Sequence, residues 1–164
     1  MERDEILFEI QQIKNIFRAQ QAGANDKAAE SAYTYGSIDP ITDFQLLSIV
    51  EKGVDTMVAE KVSRNFKFSQ KEVSEILHMS DRSYRNHLSS HKPFTGMEAE
   101  MLVVLVNLMI EGLHTFDDME DFHAWMRLKL EGLNYKRPVD FLTSISGTKY
   151  ITEFLKTIQA GAFA

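Results

Sequence analysis

A ten-residue apolar run, MLVVLVNLMI from Met101 to Ile110, constrains the fold more than any other feature of this sequence. It is apolar on nearly every face, so a helix that carries it must be covered on all sides. Ten residues fall far short of the ~20 needed to cross a bilayer. We therefore predict a central buried helix, or a helix that buries a second face against another subunit. Asn107, inside the run, needs a hydrogen-bond partner there.

The rest of the sequence favours an all-α fold around that helix. The 164 residues include only three prolines, and no strand-like alternation with Gly-rich turns is present. A chain of this length forms one compact domain or two small ones. The absence of cysteine excludes disulfides, thiolate metal sites and Cys nucleophiles. The first ten residues hold four acids and no apolar segment of a signal peptide, so a cytoplasmic protein is expected.

Two short helices joined by a tight turn are predicted after residue 68. Ser69 suits the N-cap of the first helix, Gln70–Leu77, and Glu72 completes a capping box with it. His78–Met79 forms the predicted turn, and Ser80 caps the second helix. The predicted buried positions of the pair are Val73, Ile76, Leu77, Tyr84 and Leu88. The arrangement is typical of a helix-turn-helix motif.

The polar face of the second helix suits contact with DNA. Arginine pairs with guanine and phosphate, asparagine with adenine, and serine with phosphate oxygens. The candidate DNA-binding residues are Ser69, Gln70, Lys71, Ser80, Arg82, Ser83, Arg85 and Asn86. The alternative is a solvated face of an ordinary helix pair. One departure from the motif is His78, since the turn usually carries glycine, whose positive φ is free of strain.

The charge distribution agrees with a small DNA-reading patch on an acidic body. From Ser63 to Lys92 six basic residues face three acidic ones, a net charge of +3, although the whole chain carries −6. Such local asymmetry is what a nucleic-acid-binding surface on an otherwise acidic protein requires. Chance clustering of basic residues is the alternative explanation.

The N-terminal region reads as a separate amphipathic helix. Residues 1–21 place Ile6, Ile10, Ile13 and Phe17 on one stripe. A linker around Tyr33–Pro40 follows, so we place a boundary near residue 40. Three possibilities stay open for the helix: packing on the main body, pairing with a second copy, or partial disorder.

Helices are predicted throughout the rest of the chain. One helix ends at Gly53, one opens with a Thr95–Glu98 capping box, one runs from an Asp117–Glu120 start to Gly132, and the last spans Ser146–Gly161. A short helical turn is predicted at residues 139–142. The predicted inward residues are Ile41, Phe44, Leu47, Ile49, Val50, Met57, Val58, Val62, Phe66, Phe122, Trp125, Met126, Leu130, Tyr150, Ile151, Phe154, Leu155 and Ile158.

The sequence offers no catalytic or metal-binding constellation. His114 and His123 are nine residues apart across a predicted break, which does not match zinc-ligand spacing. The acids near them are better explained by helix capping and the helix dipole. No G-x-S-x-G elbow, phosphate-binding loop or G-x-G-x-x-G is present. We therefore expect no enzyme, no cofactor and no metal.

The C-terminal third resembles the toxin-binding domain of the Xre/MbcA/ParS antitoxins. The matching positions are Ala124-Trp125-Met126, Gly132-Leu133, Lys136 to Leu142, Gly147, Phe154-Leu155 and Ile158 to Gly161. With the helix-turn-helix and the apolar helix after it, the resemblance covers roughly Phe44 to Ala164. Asn86 stands where the family often has Arg, and the loop Arg127–Tyr135 lacks a usual Pro-Asn segment.

The resemblance implies an all-α antitoxin that blocks a RES-domain toxin, an enzyme that consumes NAD or transfers from it. It implies a homodimer bound to the promoter of its own operon, a higher hetero-oligomer with the toxin, and no membrane partner. The implied division is an N-terminal helix and linker (1–40), an Xre-like DNA-binding domain (41–115) and a toxin-binding domain (116–164). A stand-alone transcriptional regulator is the alternative.

The toxin contacts are expected on the last helix and the chain end. The expected residues are Arg137, Lys149, Tyr150, Lys156, Gly161, Phe163 and Ala164. The tail is small and apolar, carries one aromatic anchor and ends in a carboxylate, which suits entry into a cleft. A frayed chain end is the alternative reading of the tail.

Overall fold

The computed structural model describes residues 3–21 and 39–161, and it is all-α, as predicted. No strand occurs among these residues, which contain only two isolated bridges, Val54–Phe94 and Leu130–Lys136. The helices are α1 (Arg3–Gln21), α2 (Asp43–Lys52), α3 (Thr56–Asn65), α4 (Gln70–Ile76), α5 (Asp81–Ser90), α6 (Gly96–Thr115), α7 (Met119–Arg127) and α8 (Ile145–Gln159). Two 3-10 turns, Glu131–Leu133 and Pro138–Phe141, connect α7 to α8.

The apolar helix α6 is the centre of the fold. Every residue from Met101 to Ile110 except Asn107 is buried within the single chain, so the surplus apolar face expected for a subunit contact is already covered. Asn107 exchanges two hydrogen bonds with the backbone of Ile41, at 2.7 and 2.8 Å. The predictions of a buried helix and of a partner for Asn107 are thus confirmed. Among the described residues no single helix is long and apolar enough to span a bilayer; α6 and α7 pass only as a pair bent by 116°.

Helix α1 packs on the main body, which decides among the three possibilities for it. Its predicted apolar stripe is buried. The buried carboxylate of Glu9 accepts a hydrogen bond from Arg64 at 2.8 Å and another from the side-chain amide of Asn65. Lys61 donates to Gln12 at 2.6 Å. Because a buried carboxylate needs such partners, these bonds fix α1 against α3. Most of the predicted linker lies outside the described residues.

Parts of the predicted inward faces of α2 and α3 are wrong, although Ile41 and Ile49 are buried as predicted. Phe44 is 83% exposed and Leu47 68%, whereas Leu46 and Ile49 are buried. The capping box of Thr42 fixes where α2 begins, and the helical phase then turns residues 46 and 49 to the core. Met57 of α3 and Tyr150 of α8, which were also predicted to face inward, are half exposed.

Several predicted caps and helix ends differ from those in the structure. Thr95 makes no side-chain capping bond at the start of α6. Asp118, not Asp117, caps α7, and this helix ends at Arg127 because Leu128 is already extended. Ser144 rather than Ser146 caps α8 by accepting from the Gly147 amide at 3.0 Å. Gly53 does end α2, with a φ of 87°.

Candidate functional site

Helices α4 and α5 are the two short helices predicted around a tight turn, and we refer to the pair as the predicted helix-turn-helix. The Ser69 hydroxyl accepts from the Glu72 amide at 3.2 Å, and the Glu72 carboxylate accepts from the Ser69 amide at 2.8 Å, so the capping box is complete. Ser80 caps α5 by accepting from the Ser83 amide at 3.1 Å. The predicted inward residues of the pair are buried apart from Leu88, which is half-buried. The two helices and their caps are therefore confirmed.

A small residue holds the two helices together. Ser74 is buried where α4 meets α5, and its hydroxyl donates to the carboxylate of Asp81. Sequence reasoning missed this contact. A serine in the middle of an otherwise apolar helix face was the available signal, because a small side chain lets two helices approach closely.

The turn has the usual backbone conformation despite its unusual residue. His78 has a φ of 53°, in the left-handed region that favours glycine. Its imidazole Nε2 donates to the carbonyl oxygen of Thr143 at 2.7 Å. Histidine in place of the usual glycine therefore changes the side chain but not the backbone conformation of the turn.

The predicted DNA-binding residues lie at the surface of α4 and α5 or at the caps that precede these helices. All of them are exposed except Ser83, which is half-buried. Arg82, Arg85 and Asn86 are spaced three and four apart on α5, so they share one helix face. The guanidinium groups of Arg82 and Arg85 make no ion pair with any other described residue. Ser69 and Ser80 are occupied as helix caps, and Lys71 lies 3.8 Å from Glu75.

Fewer basic side chains are available to a ligand than the six counted between Ser63 and Lys92. Arg64 is paired with Glu9, and Lys67 with Glu120. Only Arg82, Arg85 and Lys92 of this segment lack a carboxylate partner among the described residues. The positive potential of the segment is therefore concentrated on α5 and the residues just after it.

The C-terminal part of the chain is joined to the helix-turn-helix by polar contacts. Arg127 donates to the Glu72 carboxylate at 3.4 Å and to the carbonyl oxygen of Lys67 at 3.3 Å. Burial raises the pKa of Glu72, but the hydrogen bonds from Ser69 together with Arg127 outweigh it and leave the pKa below its usual range. A hydrogen bond from Lys67 lowers the pKa of Glu120.

A buried histidine lies at the same junction. His123 Nε2 donates to the backbone oxygen of Asn65, and no described residue partners its Nδ1. Burial lowers the pKa of His123, with further contributions from Lys67 and Arg127; Glu120 and the bond to Asn65 act in the opposite direction. The neutral imidazole is therefore the form that the junction holds.

Three of the predicted toxin-binding residues share the exposed face of α8. Lys149, Tyr150 and Lys156 point away from the buried side of the helix. Lys149 lies 3.6 Å from Asp43 of α2, and Lys156 lies 2.7 Å from Glu153. A cleft of about 360 Å³ lies between α8 and the start of α2, and Lys149 and Lys156 line it on the α8 side.

The other predicted toxin-binding residues lie apart from this stripe or outside the described chain. Arg137 pairs with Asp140 at 2.6 Å, which lowers the pKa of that carboxyl. The backbone amide of Arg137 also donates to the Asp140 carboxylate at 3.0 Å, at the start of a 3-10 turn. Gly161 is exposed just after α8, with a φ of 74°. Phe163 and Ala164 lie outside the described residues. Tyr135, which sequence reasoning overlooked, is 67% exposed in the connection before Arg137.

Comparison with known proteins defines the class of this C-terminal part. Residues 112–161 match the model of the antitoxin Xre/MbcA/ParS C-terminal toxin-binding domain, which covers the end of α6, α7, both 3-10 turns and α8. The exposed stripe of α8 therefore belongs to a toxin-binding type of domain.

The whole chain is also similar to a curated antitoxin. It is 24% identical over 156 residues to the Prs ADP-ribosylating antitoxin of Sphingobium sp. (strain YBL2), and the match covers 90% of this chain and 94% of that protein. The resemblance found in the sequence is confirmed: the two matches together support an antitoxin of the Xre/MbcA/ParS type, with the toxin-binding domain of that family at residues 112–161.

Proposed function

We propose that this antitoxin blocks a RES-domain toxin that consumes NAD or transfers ADP-ribose from it, and that it makes contact through α8 and the chain end. The observation that carries the proposal is the match of residues 112–161, within which α8 presents Lys149, Tyr150 and Lys156 to solvent. The printed name of the relative, an ADP-ribosylating antitoxin, supports a partner with ADP-ribosyl chemistry.

The exposed face of α8 has the chemistry of a protein contact. Tyr150 is half exposed, with its ring 5.8 Å from that of Phe141, so it offers a fixed aromatic anchor. Lys149 and Lys156 already have carboxylate neighbours, so they act at the rim, where charge contributes to specificity more than to affinity.

The chain end supplies the blocking element in this proposal. Gly161 is exposed just after α8. In this proposal the apolar segment that follows it, with Phe163 as its aromatic anchor, enters the cleft that holds NAD. Inhibition then requires only that the tail and NAD exclude each other.

Truncation of the tail tests this role. A chain that ends at Ala160 is mixed at equal concentration with the RES-domain protein that the proposal expects in the neighbouring reading frame, and NAD consumption is followed. We expect NAD consumption to return although the two proteins still copurify, because the face of α8 remains. Full inhibition by the truncated chain contradicts the role of the tail, and the absence of such a reading frame favours the stand-alone regulator.

We also propose that α5 reads operator DNA and so autoregulates the operon. The supporting observation is that Arg82, Arg85 and Asn86 are exposed on α5. This helix follows a capping serine and a left-handed turn residue, as the second helix of a helix-turn-helix does. In such motifs the second helix enters the major groove near its N-terminal end.

The expected homodimer must use a surface other than α6, because α6 is covered within the chain. Phe44 and Leu47, three residues apart on α2, form an exposed apolar pair that we propose as the contact. Light scattering tests it: the unmodified chain is a dimer at tens of micromolar, and replacing both residues by serine yields a monomer. A monomeric unmodified chain contradicts the dimer.

A further inference from the structure

We infer that the basic turn, residues Arg127–Arg137 of the toxin-binding domain, holds DNA phosphates beside the helix-turn-helix. The inference rests on the DNA binding proposed for α5 and adds a second element to the DNA-contacting surface. The turn carries four basic residues and a single carboxylate, Glu131, in a chain whose net charge is −6.

Side-chain contacts place this turn next to the first helix of the motif. Arg127, where the turn begins, reaches the Glu72 carboxylate at 3.4 Å and the backbone of Lys67 at 3.3 Å. Both partners are at the N-terminal end of α4, within three residues of Ser69 and Gln70. Further along the chain, Thr143 accepts from His78 at the other end of α4. The segment from Arg127 to Thr143 therefore lies along α4.

Two of the four cations in the turn are available for a ligand. Arg127 and Arg137 are engaged by Glu72 and Asp140, respectively. Lys129 and Lys136 are exposed and make no ion pair with a described residue. Lys136 is near enough to Asp140 to help lower the pKa of that carboxyl, but the ion pair of Asp140 is with Arg137.

Backbone hydrogen bonds within the turn fix the positions from which the two lysine side chains extend. The Leu130 amide donates to the carbonyl oxygen of Lys136 at 3.2 Å, and the Tyr135 amide donates to that of Leu130 at 2.8 Å. The Lys136 ammonium lies 6.0 Å from the centre of the Phe141 ring. A lysine on a fixed backbone with a flexible stem is well suited to a phosphate, which requires a point charge and no precise orientation.

A phosphate role makes a quantitative prediction that differs from that for α5. Each phosphate neutralised by a lysine contributes about 0.9 to the slope of log K against log salt concentration. We expect K129Q/K136Q to reduce this slope by about 2 and to weaken binding about fivefold per lysine at 0.15 M salt. The loss is the same for the upstream operator fragment and for a scrambled duplex, because phosphates carry no sequence information.

The experiment measures fluorescence anisotropy of both duplexes over a salt series with the full chain. A charge-matched control, R18Q/K52Q, removes two cations from the C-terminal ends of α1 and α2 and keeps the unmodified slope. An unchanged slope in K129Q/K136Q overturns the inference, including the case in which that variant loses only toxin binding. If R82A/R85A abolishes operator binding while K129Q/K136Q has no effect, only this inference fails. If the unmodified chain binds neither duplex, the inference and the proposed DNA binding fail together.

Discussion

The imidazole of His78, in the turn of the helix-turn-helix, donates to the backbone oxygen of Thr143 in the toxin-binding domain at 2.7 Å. This bond joins residues 65 positions apart and closes a junction that also contains the Arg127–Glu72 pair. The part of the chain expected to read DNA and the part expected to bind a toxin are thus in direct contact. A structural change at either surface is therefore only a few contacts away from the other surface.

Two substitutions of His78 separate the destabilisation by its positive φ from the stabilisation by its hydrogen bond. His78→Ala loses the bond and keeps a β-carbon at positive φ, so we expect a loss of about 1–2 kcal/mol of unfolding free energy. His78→Gly loses the same bond but adopts φ of 53° without strain, so it should be about 1 kcal/mol more stable than the alanine variant. Urea denaturation measures both. A glycine variant no more stable than the alanine variant would show that residue 78 is not left-handed.

The buried His123 should make stability depend on pH. Its pKa is lowered in the folded protein, whereas in the unfolded chain it is near the ordinary value of 6.5. The unfolded state therefore binds the proton first, and the unfolding free energy falls as the pH is lowered through about 6.5. The fall ends below the folded pKa, because both states are then protonated. Urea denaturation between pH 8 and pH 5 measures it.

The pH range in which His123 changes the stability is distinct from the range in which the acidic residues change it, and a control variant separates the two. The lowered pKa values of Glu72, Glu120 and Asp140 contribute stability that is lost only as the pH drops below the ordinary carboxyl range. His123→Gln should flatten the curve between pH 8 and pH 5, and His114→Gln, at an exposed site, should leave it unchanged. An equal slope in the His123→Gln chain would contradict the assignment.

Removal of the two free guanidinium groups of α5 should weaken operator binding. R82A/R85A is expected to lose more than tenfold in affinity, since a specific base contact contributes about 1–3 kcal/mol. Toxin inhibition should stay nearly intact, because neither residue belongs to the α8 stripe. A gel-shift titration with the promoter fragment measures the change. Unchanged affinity would show that α5 is not the reading helix.

Local features of this chain were predictable from the sequence. The caps Ser69 and Ser80 each accept from an amide three residues further on, so their helices begin where predicted. The burial of Met101–Ile110 followed from a run that is apolar on all sides. The candidate residues Arg82, Arg85 and Asn86 were predictable as the polar side of an amphipathic helix.

Contacts between distant residues were not predictable in this way. Arg127 meets Glu72 across 55 positions, and no periodicity encodes that pairing. The exposure of Phe44 depends on the helical phase set by the cap at Thr42 and on what packs beside α2. Gly147 was noted only as a family position; its physical reason is that a β-carbon there would lie 2.1 Å from the carbonyl oxygen of Phe141.

The central claim is that the exposed face of α8 binds the toxin, so that inhibition requires this face. It is tested with the full-length variant Lys149→Gln/Tyr150→Asp, which removes the aromatic anchor and one rim cation. The matched control is Arg18→Gln/Phe8→Asp, which makes the same kinds of change at exposed positions of α1. Circular dichroism establishes that both variants are folded at the assay temperature.

The decisive measurement is the antitoxin concentration that halves NAD consumption by the neighbouring RES-domain protein. A central tyrosine of an interface commonly contributes about 2 kcal/mol or more, so the α8 variant should require at least about tenfold more protein than the unmodified chain. The α1 control should match the unmodified chain. Equal half-inhibiting concentrations for the α8 variant and the control would contradict the claim and place neutralisation on another surface.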